Sequence, residues 1–100
     1  MTVDKQTLDE AVIYLGPTLN INNSFELKEH VQRLLKEGCH RITLDFSRSS
    51  MIDASGLGKI LVLQKKITQQ QGELRIINVT NKYIKRTFDL IQLEKVINIS

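Results

Sequence analysis

Apolar and polar residues along this chain alternate between two spacings, one suited to strands and one to helices. The run Ala11 to Leu15 is continuously apolar and stops at Gly16-Pro17, which predicts a strand buried on both faces and closed by a turn. The preceding "TVDKQTL" predicts a short edge strand. In "NNSFELKEHVQRLLKEG", Phe25, Val31, Leu34 and Leu35, with Leu27 beside them, recur at helical spacing. Asn22, Asn23 or Ser24 is positioned to cap that helix, and Gly38 to end it in a left-handed conformation. "RITLDF" alternates, placing Ile42, Leu44 and Phe46 on one face of a strand and Arg41, Thr43 and Asp45 on the other.

A second helix is expected after residues 53–58, with Leu57, Ile60, Leu61 and Ile67 on its apolar side, running to Gln71 and stopped by Gly72. "ELRIINV" reads as a strand. "TNKYIKRTFDLIQL" reads as a third helix, capped by Thr80 or Asn81, with Ile84, Phe88 and Ile91 stacked on one side. "KVINI" closes as a short strand. Strands joined by crossover helices predict an α/β fold with a mixed, largely parallel sheet and right-handed connections.

Composition narrows the picture. One hundred residues suit one small domain, residues 1–100, that buries a single core. No apolar run approaches the ~18 residues that span a bilayer, and the acidic start "MTVDKQTLDEAVIY" is unlike a secretion signal, so a cytoplasmic protein without membrane insertion is expected. Cys39 is the single cysteine, which excludes an internal disulfide; with His30 and His40 it does not complete a metal-ligand set, and no metal or cofactor is expected. The net charge of +3 comes from cations mixed with acids, "KYIKR" (82–86) being the densest cluster. With five aromatics, and Phe25, Phe46 and Phe88 at core-like positions, direct nucleic-acid binding is not expected and solvated helix faces account for the charge.

The stretch "SRSSMIDASGLGKILVLQKK", in which the apolar pair Met51-Ile52 is expected to be buried, holds the candidate chemistry. A phosphate loop G-x-x-x-x-G-K-[ST] fails, because Asp53 stands at its first glycine and Ile60 at its last hydroxyl. A dinucleotide loop fails at Leu61, its third glycine. A nucleophile elbow centred on Ser55 fails because Asp53 and Leu57 replace its glycines. A strand end followed by small residues and the free amides of a helix start remains, with Asp53 as a cap.

The segment from "LDFSRSSMIDASGLGKI" through "GELRIINV" and "KRTFDL" to "KVINI" resembles the STAS domain family, most closely the bacterial anti-sigma factor antagonists. Those proteins carry D-S-S-G-L-G or D-S-T-G-L-G at the opening of a helix. The resemblance implies a STAS fold, a sheet of four or five strands with helices packed on it, and no enzyme activity. It further implies a partner: an anti-sigma factor and serine kinase of the ATP-binding kinase fold, bound by a monomer or weak homodimer. In such proteins docking frees a sigma factor, and phosphorylation of the first hydroxyl of the turn ends the complex.

Carried onto this chain, the resemblance makes Asp53, Ala54, Ser55, Gly56, Leu57 and Gly58 the partner-binding and regulatory turn. Asn20 joins them, standing where many antagonists have an aspartate in G-E-L-D. The usual phosphoacceptor position is Ala54, which has no oxygen to modify. Ser55 is the alternative acceptor, although one helical residue turns its side chain by about 100°. Ala54→Glu or Gly56→Arg is expected to abolish docking without unfolding the chain. The alternative role is a STAS accessory subunit of a stress-signalling scaffold or of a lipid-transporting ABC complex.

Overall fold

The computed structural model describes residues 1–100. In chain order the strands are β1 (Thr2–Lys5), β2 (Glu10–Tyr14), β3 (Thr18–Leu19), β4 (Arg41–Asp45), β5 (Met51–Ile52), β6 (Glu73–Ile77) and β7 (Asn98–Ile99). The helices are α1 (Ser24–Lys36), α2 (Ala54–Gln69) and α3 (Lys82–Leu90). A five-stranded sheet has the order β1-β2-β4-β6-β7. Only the β1–β2 pair is antiparallel; the other three pairings are parallel. This is the mixed, mostly parallel α/β sheet expected. No helix is long and apolar enough to cross a membrane.

The alternation in the strands sets where the core sits. Ala11, Ile13, Ile42, Leu44, Leu74 and Ile76 turn to one side and join Leu27, Val31, Ile60, Leu63 and Ile84 in a cluster of 22 buried residues. Phe46 and Phe88 meet edge to face there at 5.5 Å. The opposite face carries Val12, Tyr14, Thr43, Arg75 and Ile77, and of these only Val12 is buried. The run Ala11 to Leu15 therefore has one fully buried face, not two.

Helix ends follow local rules with two departures. Gly38 is left-handed, φ 85°, and closes α1 as expected. At the other end Asn23 occupies the cap position, yet its side chain makes no cap bond. Its oxygen instead accepts from the Asn20 amide at 2.8 Å, while its amide nitrogen donates to the Thr18 carbonyl at 2.7 Å. The residue that turns α2 is Gln71, φ 63°, not Gly72. Gly72 is needed for closeness: a Cβ there would lie 2.4 Å from the His40 carbonyl oxygen. Asn81 caps α3, accepting from the Ile84 amide at 3.0 Å.

Three apolar positions assigned to helix cores lie outside them. Relative to Leu27, Phe25 is turned by about 200° around α1, and the smaller Ser24 fills the buried stripe instead. Leu61 follows the buried Ile60 by one residue and faces solvent. Ile91 is exposed because α3 ends at Leu90; the chain reverses at left-handed Gln92 and buries Leu93 in its place.

Asp45 ends β4 and is buried despite its charge. One carboxylate oxygen accepts from the Ser47 amide at 2.7 Å and the other from the Asn78 side chain at 3.0 Å, tying the β4–β5 and β6–α3 loops together. Burial pushes its pKa up, but bonds from the Ser47 hydroxyl and amide, then Asn78, then the Arg48 charge outweigh it, leaving the pKa below the usual carboxylate range. A lowered folded-state value stabilises the fold above the unfolded carboxyl's titration near pH ~3.9, and that contribution disappears as pH falls through the lowered value. In urea melts, Asp45→Asn should cost about 1–3 kcal/mol at pH 7. The gap to wild type should narrow below about pH 4; a constant gap would mean the charge contributes nothing.

Candidate functional site

The parallel strands β2, β4, β6 and β7 all end on one side of the molecule, and α1, α2 and α3 begin there. A feature invisible in the residue pattern shapes this end. β3 and β5, two residues each, form a separate parallel pair, with Thr18 opposite Met51 and Leu19 opposite Ile52. The Pro17 carbonyl accepts from the amides of Ser50 and Met51, and Ser49 Oγ donates to the Gly16 carbonyl at 2.8 Å. Ile52 points into the core, so the alternating Met51 points out: it is half-exposed, against the expectation that both are buried.

Asp53 follows β5 directly and caps α2. Its Oδ1 accepts from the Gly56 amide at 2.8 Å and its Oδ2 from the Ile21 amide at 3.3 Å. Its own amide donates to the Leu19 carbonyl at 3.1 Å. One carboxylate thus clamps the β3–α1 loop to the start of α2. Within that loop Asn20 Oδ1 accepts from the Asn22 amide at 2.9 Å. Asn20 and the 53–58 turn, far apart in sequence, share one surface.

The turn residues have unequal surroundings. Ala54 and Gly58 are exposed, Ser55 and Leu57 half-buried, and Gly56 buried. A Cβ on Gly56 would meet the Leu19 carbonyl oxygen at 2.6 Å and the Leu19 side chain at 3.0 Å. Gly56 is therefore a packing residue that lets α2 sit on β3, and Gly56→Arg would disrupt the fold, contrary to expectation. Nothing lies within 4 Å of a Cβ placed on Gly58.

Sequence patterning did not single out Ile21, Phe25 and Met51 as surface residues. They are 71%, 59% and 54% exposed; Ile21 and Met51 border the turn, and Lys28 Nζ is held 5.7 Å from the Phe25 ring centre. The available signal was the loop "NINN": an apolar residue among three asparagines has little to bury it. Cys39 is buried away from this end, and burial pushes its thiol up, with Lys5 opposing. No three histidine, cysteine or acidic side chains gather anywhere in the molecule as metal ligands.

This end of the parallel sheet therefore carries exposed apolar residues beside a capped helix start. The chain belongs to the STAS domain family, whose sequence profile matches residues 2–100. It is 26% identical over 88 residues to an anti-sigma-B factor antagonist of Staphylococcus epidermidis, covering 88% of this chain and 81% of that one. It is 28% identical over 91 residues to BtrV of Bordetella bronchiseptica, a candidate anti-sigma factor antagonist, covering 90% of this chain and 76% of that one. Its fold matches the Bacillus anti-sigma factor antagonist SpoIIAA in its unphosphorylated form, with TM-score 0.78, 18% identity and coverage of 99% and 86% of the two chains.

Glycine chemistry predicts opposite outcomes two residues apart. Gly56→Ala should destabilise the protein by about 1–3 kcal/mol through overpacking on Leu19. Gly58→Ala should stabilise it by about 0.5–1 kcal/mol, the usual helix-interior gain. Urea melts of the two variants decide, and equal effects would mean that the close approach at Gly56 is wrong.

Proposed function

We propose that this chain is an anti-sigma factor antagonist whose usual phosphorylation switch is absent. It docks, in the cytoplasm, on an anti-sigma factor of the ATP-binding kinase fold and so releases a sigma factor; it catalyses nothing itself. The observation that carries this reading is Ala54. It lies exposed at the first position of α2, beside the Asp53 clamp and the apolar residues Ile21 and Met51. A partner seated there covers a methyl group where a hydroxyl would accept phosphate.

The physics of the switch explains what its loss does. A phosphate adds nearly two negative charges to the middle of a packed surface, where desolvating them is costly. Without an oxygen at position 54 that charge cannot be placed there, and the complex outlasts exposure to ATP. Ser55 is a poor substitute, because it is half-buried and turned by about 100° from Ala54 around the helix.

Capture with wild-type protein should recover a kinase-fold anti-sigma factor, and calorimetry with the purified pair should show Ala54→Glu weakening binding by about 100-fold or more with an unchanged melt. Unchanged affinity would remove the turn from the interface, and recovery of transporter subunits instead would overturn the transcriptional role. With the partner and ATP, Ala54→Ser should gain the mass of one phosphate and dissociate, while wild type gains none. A phosphate on Ser55 of the wild type would show that the switch has moved and is not missing.

A further inference from the structure

The three helices of this protein do not begin alike. Asp53 and Asn81 stand at the cap positions of α2 and α3, and each side chain accepts from the amide three residues on, Gly56 at 2.8 Å and Ile84 at 3.0 Å. Asn23 stands at the cap position of α1, yet its side chain accepts from neither Phe25 nor Glu26. Asparagine is among the best residues for that bond, and leaving it unmade forgoes a stabilising contact. The side chain reaches backward along the chain instead. Its Oδ1 accepts from the Asn20 amide at 2.8 Å, and its Nδ2 donates to the Thr18 carbonyl at 2.7 Å.

The loop so braced carries one large apolar side chain. Ile21 is largely exposed and has a tie on each side: the Asn20 amide before it bonds to Asn23, and its own amide bonds to Asp53 Oδ2 at 3.3 Å. Further bonds close the loop on itself, from the Ser24 amide to the Asn20 carbonyl at 2.8 Å and from the Asn22 amide to Asn20 Oδ1 at 2.9 Å. At this side-chain length only a carboxamide can do what Asn23 does, since it accepts and donates at once from one planar group. Aspartate has no donor for the Thr18 carbonyl, and serine carries a single hydroxyl on an arm one atom shorter.

We propose that Asn23 is a positioning residue of the docking surface: it gives up the α1 cap to hold the Asn20–Asn22 loop, and so presents Ile21 to the partner as an apolar anchor beside the 53–58 turn. The proposal rests on the reading of that turn as a docking site and adds to it a residue that acts through Ile21. A loop ordered before docking has less conformational freedom to lose in the complex, so an exposed apolar side chain held ready is covered more favourably. A local rule of helix capping is thus broken where the chain needs a defined loop, as is expected of a functional segment.

Substitutions that exchange the brace for a cap test it. Asn23→Ser offers α1 a cap of similar rank but cannot hold both the Asn20 amide and the Thr18 carbonyl. Asn23→Asp also caps and loses only the bond to Thr18, so one variant serves if the other misfolds. In each, amide hydrogen exchange at Asn20 and Ile21 should quicken by about tenfold or more, while the urea midpoint stays within error of wild type or rises. The kinase-fold anti-sigma factor captured by wild type should bind each variant about tenfold more weakly. Ile21→Ala, at an exposed position, should weaken binding to a like degree, and adding Asn23→Ser to it should change little further, because the brace acts through Ile21. Full additivity, or a loss of affinity that only tracks a lowered midpoint, would make Asn23 an ordinary structural residue and overturn the proposal. So would unchanged affinity of Asn23→Ser beside loss of binding by Ala54→Glu, since the turn would then dock without the loop. If Ala54→Glu is itself without effect, the docking reading fails, and this proposal with it.

Discussion

The Asp53 carboxylate is the join on which this end of the molecule depends. Its two oxygens bind amides on either side of the β3–β5 pair, one in the loop before α1 and one in the first turn of α2, positions 32 residues apart at the wider contact. Neither segment has much else to hold it. β3 and β5 contribute two residues each, and α1 begins without a side-chain cap. A charged acceptor serving two backbone donors is stronger than a neutral one, and here it also places negative charge at the positive end of a helix. Ala54 is exposed in a fixed position because the residue before it is bonded on both sides.

Gly56 completes what Asp53 begins. The clamp draws the β3–α1 loop toward α2, and the missing side chain at 56 lets the helix approach until Leu19 and Ile52 pack against its backbone. The exposed Ala54 and the core packing of Gly56 therefore meet within three residues. That arrangement explains why adjacent positions have unlike tolerances: 54 faces solvent, 56 faces the core, and 58 faces nothing. The turn presents a rigid shape at small cost in exposed surface.

Much of this was legible in the residue pattern. The strands of the main sheet, the three helices, the Gly38 terminus, the Asn81 cap and the role of Asp53 as a cap all follow from period and local chemistry. What escaped has a common cause, since it depends on segments meeting across the fold. The β3–β5 pair is too short to show a period, and nothing local indicates that Thr18 and Met51 will lie side by side. Phe25 and Met51 read as core because they are large and apolar; only the phase of the α1 stripe and the inward turn of Ile52 expel them. Gly72 was read as a helix terminator when its absent side chain instead makes room for the His40 carbonyl, a neighbour brought there by sheet register.

Gly58 has one further consequence. With only a methyl at 54 and no side chain at 58, the exposed face of the first turns of α2 has the main chain itself as its floor. Peptide groups look alike whatever residues carry them, so the floor offers contour and little chemical identity. A partner docked there would meet the curvature of a helix, and discrimination would fall to the side chains around it, Ile21 and Met51 among them.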